Sequence, residues 1–238
     1  MEVIFTVKKF GILIFIIALV VGLVLGNLFS FGKVSAGNLI NISFGKGVRG
    51  SGNVTAEKRS VEAFEGIKVS GIFRVEAVAG REQSVEIEAD DNLLPLITTE
   101  VRDGVLVIGT KESIRPTSTL VVRVSNPTIA KIQSSGVAKV TASELTGPFE
   151  LDMSGASKAE LKGNVSELKV SVSGAAKIEA TELQAANADI KASGACKVNV
   201  AVTGELKANA SGASKIYYTG EPANIIRNTS GASRVKQM

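Results

Sequence analysis

The chain contains no histidine and no tryptophan, a single cysteine, and few aromatic residues: nine Phe and two Tyr. Without histidine, Ser-His and Cys-His nucleophile pairs, His-ligated zinc and the usual general base near pH 7 are excluded. One cysteine, Cys196, excludes an internal disulfide framework and a thiolate-only zinc site. So few aromatics argue against a stacking platform for single-stranded nucleic acid. No strong charge of one sign is present either. Lys and Arg number 27 against 23 Asp and Glu, an excess of +4 spread along the chain, which is not a nucleic-acid signature. The 238 residues allow one or two domains with a buried core.

What is present begins at the N-terminus. Residues Phe10 to Gly26 are an unbroken apolar or glycine run behind Lys8 and Lys9. Extended to Phe31, at about 1.5 Å per residue, the run spans roughly 33 Å, enough for a bilayer hydrocarbon core. An uncleaved anchor is one reading. A secretory signal cut after Val34-Ser35-Ala36 is the other. Both send the rest of the chain across the membrane, and the two lysines favour an inside N-terminus. No cysteine lies just after the run, so no lipoprotein attachment site is offered. Residues 35–52 hold five glycines among Ser and Asn and read as a flexible tether.

The strongest signal is an internal repeat. The motif Ser-Gly-small-x-(Lys/Arg)-apolar recurs as SGVAKV, SGASKA, SGAAKI, SGACKV, SGASKI and SGASRV. Its glycines, Gly136, Gly155, Gly174, Gly194, Gly212 and Gly231, are spaced by 19 residues on average. Before each glycine, apolar residues alternate with polar ones, as in Leu168, Val170 and Val172. That period of two predicts a strand with one buried face. The glycine predicts a corner whose backbone a side chain would obstruct. After it, Val140, Ala159, Ile178, Val198, Ile216 and Val235 predict a second buried strand, and Gly147, Gly163, Gly204 and Gly220 mark a second corner. Coils of about 19 residues, each strand pairing with its equivalent one coil away, predict a parallel β-helix. Leucine-rich and calcium-binding nonapeptide frames are absent, and the period of two excludes a helical repeat.

Residues 53–128 read as β-rich without the period. SVEIEA, VLVIGT and STLVVRV are predicted strands, Asp103-Gly104 a tight turn, and residues 92–97 one helical turn. SGIFRV at residues 70–75 copies the repeat motif once, far upstream of the next copy. This part is expected to continue the repeats and cover their N-terminal end, where strand edges would otherwise stand open.

The stretch EAFEGIKVSGIFRVEAVAGREQSVEIEADDNLLPLITTEVRDGVLVI, followed by the SGA repeats, resembles the head GIN domain family of autotransporter adhesins, over roughly residues 57–236. The FEGIKVSG opening, the DDNLLP step, the DGVLVI hairpin and the SGAS ladder occur in order. The resemblance implies a right-handed single-stranded β-helix in a bacterial envelope protein. It implies no catalytic residues.

Two columns follow from stacking the repeats. The first is basic: Lys139, Lys158, Lys177, Lys197, Lys215 and Arg234, with Arg74 as an upstream member. Such a stripe suits an anionic envelope polymer such as teichoic acid, lipopolysaccharide or acidic polysaccharide. The alternative is a solvated face in which Glu160 and Glu179, two residues after Lys158 and Lys177, neutralise their neighbours. The second column is Ser135, Ser154, Ser173, Ser193, Ser211 and Ser230. It is expected to form a hydrogen-bonded hydroxyl ladder that shapes the corner. Ser-Lys hydrolase chemistry needs one singular activated nucleophile, and this pattern recurs in every repeat. Cys196 stands where other repeats hold Ala or Ser and reads as a packing residue. Asp90-Asp91 reads as a turn, and the Asn-x-Ser/Thr matches as products of composition.

The sequence therefore predicts an all-β fold, a right-handed parallel β-helix or solenoid, behind one transmembrane or signal helix. The expected divisions are a cytoplasmic tip (1–9), an anchor or signal (10–31), a tether (32–56), a β-rich N-terminal part (57–128) and the repeats (129–238). The expected role is a non-enzymatic, membrane-anchored envelope protein with an extracytoplasmic domain that binds or scaffolds. No cofactor, metal or nucleic-acid partner is expected. The partner would be an anionic polymer or another envelope protein, and nothing in the pattern sets an oligomeric state. A regulatory or sensing ectodomain is the alternative, and a polysaccharide-acting enzyme a more remote one.

Overall fold

Alternating apolar residues build nearly every element of the computed structural model, which describes residues 47–238. The described residues are all-β, with one short 3-10 turn, Leu94–Leu96, at the predicted helical turn. The anchor or signal run, the tip before it and residues 32–46 lie outside the described residues. Among the described residues, no helix is long and apolar enough to cross a membrane.

The repeats form the larger part of a mixed, open sheet. Strand Lys131–Val172 pairs in parallel with Ala175–Ala192, which in turn pairs with Lys197–Val202 and Glu205–Ala210. Equivalent residues face one another: Leu168, Val170 and Val172 lie beside Ala188, Ile190 and Ala192, and these beside Leu206, Ala208 and Ala210. All nine side chains are buried. The post-corner residues Val140, Ala159, Ile178, Val198 and Ile216 are buried as well, with Val235 partly so. Each repeat thus contributes two apolar faces to one continuous core, and burial of that surface drives the stacking.

The corners interrupt the pairing less than their glycines suggest. Residues 131–172 remain one paired strand through Gly136, Gly147, Gly155 and Gly163, because neighbouring repeats turn at the same place and the ladder turns with them. Gly174 shows what the corner demands. Its φ is 89°, and a Cβ there would lie 2.6 Å from the carbonyl oxygen of Gly155 in the preceding repeat. Where one spacing is 20 rather than 19, the extra residue is absorbed as an irregularity between Glu179 and Glu182, opposite Glu160 and Lys162.

The upstream copy of the motif joins the stack. Strand Gly66–Ala79 runs parallel to the first repeat with Ser70 opposite Ser135, Gly71 opposite Gly136 and Arg74 opposite Lys139. On its other side the direction of pairing changes. Val121–Asn126 lies parallel to Gly66–Ala79, but Ser84–Asp90 is antiparallel to Val121–Asn126, and Val54–Arg59 antiparallel to Ser84–Asp90. The hairpin Ile97–Arg102 with Val105–Thr110 is also antiparallel, turning at Asp103 and Gly104, both at positive φ. The sheet is therefore mixed rather than parallel throughout: the repeats keep the expected parallel pairing, and the segment read as less regular brings in the antiparallel strands, with a hairpin where the two-residue Asp103-Gly104 turn joins neighbouring strands.

A second correction concerns the tether. Val48–Arg49 pairs with Ile114–Arg115, and Val54–Arg59 pairs with Ser84–Asp90. The described part of the Gly- and Ser-rich segment is therefore held in the fold. Its side chains are mostly exposed, so no apolar pattern announced it.

Candidate functional site

The residue three after each corner glycine faces outward, since the next residue faces the core, and the parallel register stacks these positions. Arg74 lies beside Lys139, Lys158 beside Lys177, Lys177 beside Lys197, Lys197 beside Lys215, and Lys215 beside Arg234. The structure thus gathers the basic residues along one face. Like charges at strand spacing repel, and the column two positions further on decides where that repulsion is relieved.

In the middle repeats that second column is acidic. Lys158 Nζ lies 2.6 Å from Glu160 Oε1, and Lys177 Nζ 2.9 Å from Glu179 Oε1. The hydrogen bond from Lys158 and its charge hold the Glu160 carboxyl below its ordinary value, and the same bond raises Lys158. Burial would raise Glu179, but hydrogen bonds from Asn199 and Lys177 outweigh it and the net shift is downward. Towards the C-terminal end the acids stop. The positions beside Glu179 are Asn199, then Tyr217, then Lys236. Lys197 Nζ sits 5.4 Å from the centre of the Tyr217 ring. Among the described residues Lys197, Lys215 and Arg234 have no carboxylate within ion-pair distance, nor does Lys139. The stripe is therefore neutralised at Lys158 and Lys177 and unpaired on either side of them, with the longer unpaired run towards the C-terminus.

The serine column departs from expectation. Among the described residues only Ser135 and Ser70 join hydroxyls, at 3.2 Å. Neighbouring strands lie about 4.8 Å apart, whereas a hydroxyl pair needs about 2.8 Å. At that spacing stacked serines meet only where their hydroxyls lean together, as at Ser70 and Ser135, and the rest of the column stands apart. The longer Asn228 spans the gap, donating to Asn209 Oδ1 at 2.9 Å. No lysine of the basic column hydrogen-bonds to a serine of the other among the described residues, so no Ser-Lys pair is assembled.

Cys196 is buried, its Sγ 3.1 Å from the Ser193 carbonyl oxygen. Among the described residues no group of three or more His, Cys, Asp or Glu is placed to hold a metal ion. A depression of about 580 Å³ lies beside the Asp103-Gly104 turn. Asn126 at its edge donates to the carbonyls of Phe64 and Thr128, so its amide ties strands together.

Sequence reasoning missed Asp90, which is more than a turn residue. It is fully buried, and its carboxylate accepts backbone N–H bonds from Gly52 and Thr117, each at 2.9 Å, and a longer one from Ser118. Burial would raise its pKa, but these donors outweigh that and hold it below the ordinary carboxylate value. Asn92 completes the clasp, accepting from Ser51 N–H and donating to the Arg49 carbonyl. The only signal in the sequence was a carboxylate directly after the buried alternation of SVEIEA. Nearby, Arg123 draws together Glu76, Glu86 and Glu88 at 3.4, 3.0 and 2.9 Å.

Comparison with known proteins agrees with this architecture. A crystal structure from Bacteroides fragilis, described as "a putative adhesin", superposes with a TM-score of 0.66 at 18% identity, covering 81% of this chain and all of that one. One from Parabacteroides distasonis, described as a "putative lipid binding protein", gives 0.55 at 21% identity, covering 81% of this chain and all of its own. At these identities the likeness is one of fold. No curated protein matches the chain. The family model described as "Putative auto-transporter adhesin, head GIN domain" matches residues 63–222, and the chain belongs to that family.

Proposed function

We propose that the stacked repeats form a right-handed parallel β-solenoid held outside the cytoplasm by the apolar segment at residues 10–31. Its role is non-enzymatic: it binds or scaffolds an anionic polymer of the bacterial cell envelope. The observation that carries this reading is the in-register cluster Lys197, Lys215 and Arg234, left without carboxylate partners where the flanking column changes from Glu to Asn, Tyr and Lys. Unrelieved like charge costs stability, and neighbouring repeats show that one glutamate two positions on would relieve it. Membership of an adhesin-like family supports a surface role. A polymer with a phosphate or carboxylate in each unit meets such a row with repeated contacts, each weak and additive.

The test is a Lys197→Gln, Lys215→Gln, Arg234→Gln triple variant, assayed against polyglycerol phosphate and polygalacturonate at low and moderate salt. The parent is expected to bind more weakly as salt rises, and the variant to bind weakly throughout. A folded variant that binds as tightly as the parent at every ionic strength overturns the reading. Protease treatment of spheroplasts tests the topology. A C-terminal tag that stays protected would contradict it.

A further inference from the structure

We infer that the serine corner is a second binding surface, a trough that holds a neutral linear polysaccharide lengthwise along the stack. An open depression of about 420 Å³ runs across four successive repeats. One wall is formed by Ser173, Ser193, Ser211 and Ser230. The other is formed by Lys191, Asn209 and Asn228, while Ala192 and Ala210, between the two columns, turn into the core. Every lining residue falls one, two or three positions before a corner glycine, so the trough is a property of the repeat. A second depression, of about 210 Å³, occupies the same positions in the preceding repeats, with Gln133, Asp152, Ser135 and Ser154 among its lining.

Three observations identify the occupant. The first is unspent hydrogen-bonding capacity. The hydroxyls of Ser154, Ser173, Ser193, Ser211 and Ser230 hydrogen-bond to no other side chain among the described residues. The amide pair Asn228–Asn209 uses one donor and one acceptor, leaving an Nδ2 on Asn209 and an Oδ1 on Asn228. The walls thus offer both donors and acceptors, which is what a sugar hydroxyl needs. The second is charge. The longer trough carries one charged side chain, Lys191, and the shorter one carries Lys68 and Asp152. A polyanion finds no matching row here, unlike on the basic column. The third is period. Equivalent wall residues recur at the strand spacing of roughly 5 Å, close to the advance of one ring in an extended β-linked chain. Successive rings can then repeat one set of contacts.

The experiment uses the full-length chain, kept in a detergent without a sugar headgroup so that the detergent does not compete. Cellohexaose, chitohexaose and mannohexaose are titrated separately by calorimetry. At least one is expected to bind with Kd below about 1 mM, with an affinity that does not fall as salt rises. Ser193→Phe combined with Ser211→Phe fills the trough and is expected to weaken binding by at least about tenfold. Asn209→Leu removes hydrogen bonds without filling the space and is expected to weaken it too, which keeps the test valid should the double variant not fold. Lys197→Gln, on the other column, is expected to leave affinity unchanged. Failure of all three hexaoses to bind at about 1 mM overturns the inference. So does a bound hexaose indifferent to the folded trough variants, or its displacement by polygalacturonate in a salt-dependent manner.

Discussion

Replacing Gly174 with valine adds a side chain where two constraints coincide. At φ 89° an L residue pays about 1–3 kcal/mol, the upper end applying to a β-branched one. The added Cβ would also stand 2.6 Å from the Gly155 carbonyl oxygen, which is backbone and cannot swing aside. Relieving that overlap must separate two repeats at the corner and stretch bonds such as Ser173 N–H to Met153 O, now 2.9 Å. Overpacking of this kind costs about 1–3 kcal/mol, and each weakened hydrogen bond about 1 kcal/mol. The sum is about 3–7 kcal/mol. For a domain of this size each kcal/mol lowers Tm by roughly 2–4 °C, so a fall of about 6 °C or more is expected in far-UV circular dichroism melts. Gly80→Val is the control. It also has a positive φ, 71°, but nothing lies within 4 Å of its Cβ position. It pays for the backbone alone and should fall clearly less. If Gly174→Val melts within about 2 °C of the parent, or no lower than Gly80→Val, close stacking at the corner is not what requires glycine.

Asp90 sets an acid limit. Its pKa is lowered on folding, so its contribution is complete above the unfolded value near 3.8 and is lost as pH falls through the lower folded value. Hydrogen exchange at the Gly52 and Thr117 amides should accelerate over that range, relative to other strand amides, and Asp90→Asn should show the acceleration already at neutral pH. Unchanged protection in the variant would contradict the clasp. Arg123→Ala should destabilise by leaving Glu76, Glu86 and Glu88 to repel one another, and the deficit should shrink as added salt screens them. A deficit independent of salt in urea denaturation would refute this. Cys196 should resist a thiol reagent in the native state and react fully in denaturant, because it is buried. Rapid native labelling would show that its repeat opens.

Period alone carried much of the fold. Apolar residues at every second place before each glycine specified strands such as the one ending in Leu168, Val170 and Val172, and the invariant offset to Lys or Arg fixed which side chains would stack. Those are local patterns, repeated often enough to read. Even the isolated copy at Gly71 carried enough of the motif to be recognised, and it lies in register beside Gly136. Partners brought together from distant parts of the chain were not legible. Asp90 looked like any turn carboxylate because the amides it receives belong to Gly52 and Thr117, on segments with no apolar signature. The paired strands within the expected tether were hidden for the same reason. The basic column and the glutamates that follow Lys158 and Lys177 were written in the sequence, but that Lys197 meets the Tyr217 ring of the next repeat was decided along the ladder. The hydroxyl ladder failed on a distance. The sequence placed a serine at every corner, but only the spacing between stacked strands decided that their hydroxyls stand apart and line a trough.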